Sequence, residues 1–224
     1  MIDTMIFDFN GTMIFDGLIQ KRAWGKFLEV EFNRKLTDQD YQLHIAGINN
    51  RNTFEYYLDR SISDAELAQL SDKKENIYRE ICLNTPDEFQ LVPGLADFLD
   101  WCKSNDIKLN IATASEYSNV EFFFEQLQLG RWFDLSKVAF NDGQIKGKPA
   151  PDIFLKAIEN VDSKASNSAI FEDSVSGIQA ANTAQSGKVV LVEDPKLEKV
   201  NLPENLRIDK IIRSYSSINK FFQK

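Results

Sequence analysis

The chain has 224 residues with 34 acidic and 26 basic side chains, a net charge of −8, and its basic residues form no cluster that could track the phosphates of a nucleic acid. With 43% hydrophobic and 27% charged residues it has the composition of a globular protein, and its length suits a core carrying a smaller insert. Two cysteines, Cys82 and Cys102, lack metal spacing and argue against a zinc site or a disulfide framework.

The opening stretch, MIDTMIFDFN, carries acids inside its apolar run and has neither a basic flank nor a small-residue cleavage site. Nowhere do ~18 apolar residues run together. Neither an export signal nor a membrane span is expected, and a cytoplasmic monomer is.

The first predicted strand covers Asp3 to Phe9. After the turn signals Asn10-Gly11 and Asp16-Gly17 the period becomes helical, with Ala23, Trp24, Phe27, Leu28 and Val30 spaced as one buried face. Thr37 caps a short helix to Ile45, the GINNRN stretch reads as a loop, and Phe54, Tyr57 and Leu58 mark a further helix. Ser63-Asp-Ala-Glu66 has the form of a capping box and opens a longer helix through Leu67, Leu70, Ile77, Tyr78 and Ile81. Residues 16–84 are thus expected to form a helical bundle inserted into a core made of 1–15 and 85–224.

From Pro93-Gly94 onward helices and strands alternate. The predicted order is a helix to Asn105, strand Leu109–Thr113, helix Ser118–Leu127, strand Val138–Phe140, helix Asp152–Val161, strand Ala169–Phe171, helix Ser174–Thr183 and strand Val189–Val192. An edge strand, Lys210–Ile212, and a terminal helix follow. Such alternation indicates a doubly wound parallel sheet covered on both faces, an α/β fold with a helical cap.

In such a sheet ligands bind beyond the carboxyl ends of the strands, so the residue following each apolar run matters most. The first run ends at Asp8, the second at Thr113-Ala114-Ser115, and a later one at Glu172-Asp173, while a loop supplies Lys148 ahead of Pro149 and Pro151. These groups suit a phosphate ester. An ionised Asp8 is a weak nucleophile that needs cations to offset repulsion from an anionic phosphate. Mg2+ takes oxygen ligands and usually binds one or two carboxylates, here Asp8 and Asp173, with Glu172 either a ligand through water or an orienting group. Lys148 would neutralise charge on Asp8 and on the phosphate. Thr113 and Ser115 offer hydroxyls to a phosphoryl oxygen, and the backbone near Gly11, where no Cβ intrudes, can cradle one.

The ordered motifs DFNGT, ATAS, KGKPAPD and FEDSVSGIQAA resemble those of the haloacid dehalogenase superfamily, particularly its phosphatases and its β-phosphoglucomutase-like branch. The resemblance covers essentially the whole chain, since that branch also inserts a helical cap after the first motif. It implies a Rossmann-like core, Mg2+ dependence, an aspartyl-phosphate on Asp8, and roles for Thr113, Lys148 and Asp173 as above. It further implies that the phosphate rests on the backbone of Gly11 and Ala114 and on Ser115. The cap loop, with Asn49, Asn50 and Arg51, would hold the non-reacting part of a small phosphorylated metabolite, plausibly a sugar phosphate, with the cap closing to exclude water.

The family's phosphatases have Asp where this chain has Asn10. That acid protonates the leaving oxygen and then deprotonates water, and its backbone carbonyl binds the metal. An amide keeps the carbonyl but loses the proton transfer, a deficit of ~10²- to 10⁴-fold. Asn10-Gly11 is also prone to spontaneous deamidation. Gln20 stands where the mutase branch commonly has a histidine, which weakens a mutase reading. The alternatives are a phosphomutase and a catalytically impaired protein that binds a phosphorylated ligand. A dehalogenase is disfavoured by Glu172-Asp173, and a phosphonatase-type enzyme by the lack of a cap lysine near the start other than Lys21. The single histidine, His44, is expected in packing more than at substrate.

Overall fold

The computed structural model describes residues 1–46 and 48–223. Gly47, inside the expected GINNRN loop, and Lys224 lie outside the described residues. The chain divides into two compact units, Met1–Phe15 with Gln90–Lys224, and Asp16–Phe89.

The first unit is a parallel sheet of five strands: β1 (Thr4–Phe7), β2 (Lys108–Ile111), β3 (Ser168–Glu172), β4 (Lys188–Val192) and β5 (Lys210–Ile212), in the order β2-β1-β3-β4-β5. Strands buried on both faces favour apolar residues on both, which is why β1 and β3 carry the runs Met5-Ile6-Phe7 and Ala169-Ile170-Phe171. Alternate residues serve opposite layers. Ile6 and Ile170 join a cluster with Ile153, Phe154, Ile158 and Ile178. Phe7 and Phe171, partners in register, stack at 4.7 Å on the other face, where Phe98 and Tyr215 meet them.

Because β2 lies on one side of β1 and β3 on the other, the chain changes direction at β1/β3, the place where open sheets leave a crevice. The strand expected at Val138–Phe140 is only an isolated bridge, Ala112 to Ala139. Val138 and Ala139 are buried, and Ala139 lies beside the end of β2, its N–H donating to Ile111 O at 3.0 Å and its O accepting from Thr113 N–H at 2.9 Å, but a single bridge is too short to count as a strand.

The second unit holds α1 (Gly17–Phe32), α2 (Asp38–His44), α3 (Asn50–Leu58) and α4 (Asp64–Asn84) around Trp24, Phe27, Leu28, Ile45, Phe54, Tyr57, Ile62 and Leu70. Val30, expected on the buried face, is 66% exposed; it sits on the last turns of α1, just before the chain reverses at Asn33 with φ +50°. Asn50, Arg51 and Asn52, expected in a loop, form the first turn of α3, because the Asn49 side chain accepts from the Asn52 N–H at 2.9 Å and caps it. Ser63 caps α4 as expected, but Glu66 bonds Arg60 and does not return to Ser63, so the box is half made. The structure places Thr85–Phe89 with this unit, where Glu88 takes a two-pronged hydrogen bond from Arg22 at 3.0 and 2.8 Å. No described helix is long and apolar enough to cross a membrane.

Cys82 and Cys102 are both fully buried free thiols, and burial pushes each up to about 12. The thiolate is the reactive form. Native protein should therefore resist alkylation at neutral pH and take up two labels after denaturation; rapid native labelling would contradict the packing.

Candidate active site

Four helices complete the core: α5 (Leu95–Ser104), α6 (Tyr117–Gln126), α7 (Asp152–Glu159) and α8 (Val175–Thr183), with a short α9 (Asn219–Phe222) near the end. Asp8 is the first residue beyond β1 and is held in line by its N–H donating to Phe171 O at 3.0 Å. Glu172 is the last residue of β3, so the two carboxylates stand side by side at the carboxyl ends of neighbouring strands. Lys148 reaches in from the loop before α7, its peptide bond to Pro149 cis and its Nζ 4.9 Å from the Phe154 ring centre. Its ammonium bonds Asp8 Oδ1 and, at 2.7 Å, Glu172 Oε1.

Glu172 is fully committed. Besides Lys148, its Oε1 accepts from Ser174 Oγ at 3.2 Å, and its Oε2 accepts from the backbone N–H of Asp173 and of Ser174, the latter at 2.8 Å. A carboxylate offers about four lone-pair positions, and here four hydrogen bonds occupy them. Asp173 points toward the turn after β1, where Thr12 Oγ1 donates to its Oδ1 at 3.4 Å. Asp8, Glu172 and Asp173 each offer an oxygen within 4.8 Å of the others, the group of acids among the described residues able to hold a metal ion.

The electrostatics follow from three acids facing one cation in a site where Asp8 is 6% and Glu172 1% exposed. Burial pushes Asp8 up to about 7, against the pull of Lys148 and with added repulsion from Glu172. Burial and the neighbouring Glu172 and Asp8 hold Asp173 well above the carboxylate range. Burial works against the charge on Glu172 too, but Lys148 and its donors outweigh it and keep that acid low. For Lys148, the Asp8 and Glu172 carboxylates overcome the cost of burial and hold its proton above the usual lysine range. With all three acids ionised the cluster carries more negative charge than Lys148 neutralises, and a divalent cation fits that surplus.

Two glycines are dictated by this packing. A Cβ on Gly11, whose φ is +78°, would lie 2.1 Å from Asp173 Oδ2, and one on Gly177 would lie 1.7 Å from Glu172 Oε1. Gly177 sits in the first turn of α8, where alanine would normally gain about 1 kcal/mol of helix propensity. Glu172 is too tightly held to move aside, so Gly177→Ala should instead cost ~1–3 kcal/mol of overpacking in urea denaturation. A neutral or stabilising result would mean that Glu172 is free to swing away.

Thr113 is 1% exposed and its Oγ1 accepts from Ser115 N–H at 3.1 Å. Ser115 Oγ in turn donates to Asn10 Oδ1 at 2.8 Å. The first, second, third and fourth motifs are therefore all in the core unit, with Asp8, Lys148, Glu172 and Asp173 in one cluster and Asn10 joined to Ser115. Asn50 and Arg51 belong to the helical unit, where Asn50 Nδ2 bonds Ser71 Oγ at 3.1 Å and Arg51 bonds Ile62 O at 2.7 Å and Asp64. His44 stacks on Tyr56 with ring centres 3.6 Å apart. Sequence reasoning passed over Ser174 and Thr12, which hold the acid pair. Ser174 had a signal: it precedes a helical period and caps α8 by accepting from Gly177 N–H at 3.0 Å.

A parallel sheet with its charged residues gathered at the switch point is that of a Rossmann-like enzyme. The family model for haloacid dehalogenase-like hydrolase matches residues 2–185, and the chain belongs to that family. It is 26% identical over 187 residues to the phosphorylated carbohydrates phosphatase of Thermotoga maritima, covering 82% of each chain. It is 26% identical over 189 residues to the β-phosphoglucomutase of Bacillus subtilis, covering 80% of this chain and 79% of that one. The crystal structure of an Entamoeba histolytica HAD hydrolase, family IA, variant 3, superposes with a TM-score of 0.84 at 30% identity, over 97% of this chain and 95% of that one.

Proposed function

We propose that the protein is a Mg2+-dependent phosphohydrolase that transfers the phosphoryl group of a small phosphorylated metabolite to Asp8 and then to water. The observation that carries this reading is the buried Asp8–Lys148–Glu172 cluster beside Asp173. Asp8 Oδ1 is tied to Lys148, which leaves Oδ2 as the attacking atom. Its attack forms the Oδ2–P bond as the ester P–O bond breaks, and water later cleaves the acyl-phosphate, releasing phosphate and restoring Asp8.

Lys148 lowers the repulsion between Asp8 and the incoming phosphate, while Glu172 fixes the ammonium from its far side. Thr113 offers a donor to a phosphoryl oxygen, with the N–H groups beside Gly11 and Ala114, and Ser115 would join them by turning its hydroxyl from Asn10 to the phosphate. Asp8, Asp173 and the Asn10 carbonyl would hold Mg2+, with Glu172 as the orienting group because its oxygens are already occupied. When bound, the ion supplies positive charge against the phosphoryl oxygens. Two relatives named for phosphorylated carbohydrates and for phosphoglucose chemistry favour a sugar phosphate as substrate.

A panel of phosphate esters assayed with Mg2+ and with chelator tests the reading. Turnover that requires Mg2+ and favours sugar phosphates is expected. No turnover by the wild type or by Asn10→Asp would overturn it.

A further inference from the structure

Asn10 followed by Gly11 is the chain's single Asn-Gly pair, and it stands on the catalytic turn. The fold cannot relieve the second half of that pair, since any side chain at Gly11 would collide with the Asp173 carboxylate. Glycine is the successor that shields its amide nitrogen least. Meanwhile Ser115 Oγ donates to Asn10 Oδ1 at 2.8 Å, which draws electrons from Cγ and makes it a better electrophile. Both residues are partly exposed, so water has access.

We infer that Asn10 is a site of spontaneous deamidation that installs the acid this active site otherwise lacks. The inference rests on the phosphohydrolase reading for its consequence, while the modification itself rests on the Asn-Gly pair, its partial exposure and the Ser115 contact. In the first step the Gly11 amide nitrogen bonds to Asn10 Cγ and loses its proton, and Nδ2 departs with a proton as ammonia, leaving a succinimide. Water then opens the ring, its hydroxyl going to one carbonyl carbon and its proton to nitrogen. The sum is asparagine plus water giving aspartate or isoaspartate plus ammonia, with no oxidant or further reactant. Only opening that leaves the side chain as aspartate restores a proton donor on the catalytic turn.

The effect on measured activity is disproportionate to the fraction converted. A positioned acid-base group contributes ~10²- to 10⁴-fold, so if roughly 1% of molecules carry aspartate at position 10 they match the remainder or exceed it about 100-fold. The turnover of an aged sample would then count its converted molecules.

The test stores wild type, Asn10→Gln and Ser115→Ala at mildly alkaline pH. Peptide mass mapping follows position 10, and turnover is measured at each time beside freshly made Asn10→Asp. Glutamine would have to close a larger ring, so Asn10→Gln should stay unconverted and flat with time. Wild type should gain aspartate at position 10 and turnover in proportion, and Ser115→Ala should convert more slowly by mass. An intact Asn10 after prolonged storage overturns the inference. So does accumulation of aspartate at that position with no rise in turnover while Asn10→Asp is active. An inactive Asn10→Asp instead overturns the phosphohydrolase reading and the functional consequence with it, and the mass measurement still decides the modification.

Discussion

Replacing Asp8 by alanine should reduce phosphate-ester turnover by on the order of 10⁶-fold, the scale of loss when the nucleophile of a covalent enzyme is removed. The protein should still fold. Glu172 remains bonded to Lys148 at 2.7 Å, so the lysine is not left as an uncompensated buried charge. Nor does the fold depend on an ionised Asp8, whose pKa is pushed up to about 7 by burial. Asp173→Ala should behave differently. That acid contacts Thr12 and lies against Gly11, with no ammonium among the described residues bonded to it, so its loss should weaken Mg2+ affinity and be partly recovered at high Mg2+. Initial rates across a Mg2+ series separate the two variants. Similar modest losses in both would contradict the division of roles.

The second large effect is a gain. Asn10→Asp should raise kcat by ~10²- to 10⁴-fold on esters with poor leaving groups, because an amide neither gives nor takes the proton that the departing alkoxide and the attacking water require. Ser115 already donates to Oδ1 of residue 10, and a carboxylate oxygen in that place accepts the same bond, so the new acid needs no rebuilding of the site. In kcat/KM, which reports only the steps up to phosphoryl transfer to Asp8, aryl esters should gain least, because their leaving groups need little protonation. Parallel kinetics on an alkyl and an aryl phosphate check this, and an equal gain in kcat/KM on both would show that residue 10 acts on something other than the leaving group.

Much of this site was legible because a parallel sheet buries its strands on both faces. Apolar runs such as Met5-Ile6-Phe7 and Ala169-Ile170-Phe171 stop where the sheet stops, so Asp8 and Glu172 declare themselves as residues at the crevice. Lys148 was readable only through its motif, because nothing in a loop's composition says which way a lysine turns. The sharing of work within the acid pair was not legible at all. Adjacent carboxylates look equivalent in sequence, and only the three-dimensional donors, Lys148, Ser174 and two backbone N–H groups, show that Glu172 is occupied while Asp173 is not so bound.

In the helical unit, local signals misled where a tertiary partner competed. Glu66 satisfies the capping-box pattern but pairs with Arg60. The polar run Asn50-Arg51-Asn52 looks like a loop until Asn49 is seen capping it. In the core unit, Val138 and Ala139 have strand-like composition because they are buried, while the backbone beside them forms one bridge and no more.

The claim on which the account turns is covalent: phosphorus passes through Asp8. An enzyme with Asn10 forms the acyl-phosphate faster than it can activate water to remove it, so the intermediate should accumulate. Wild-type protein mixed with Mg2+ and an aryl phosphate, quenched in acid and mapped by peptide mass, should show one added phosphoryl group on the peptide containing Asp8, labile to hydroxylamine and absent from Asp8→Ala. Sustained turnover with Asp8 unmodified at every quench time, or the same label in Asp8→Ala, would contradict it.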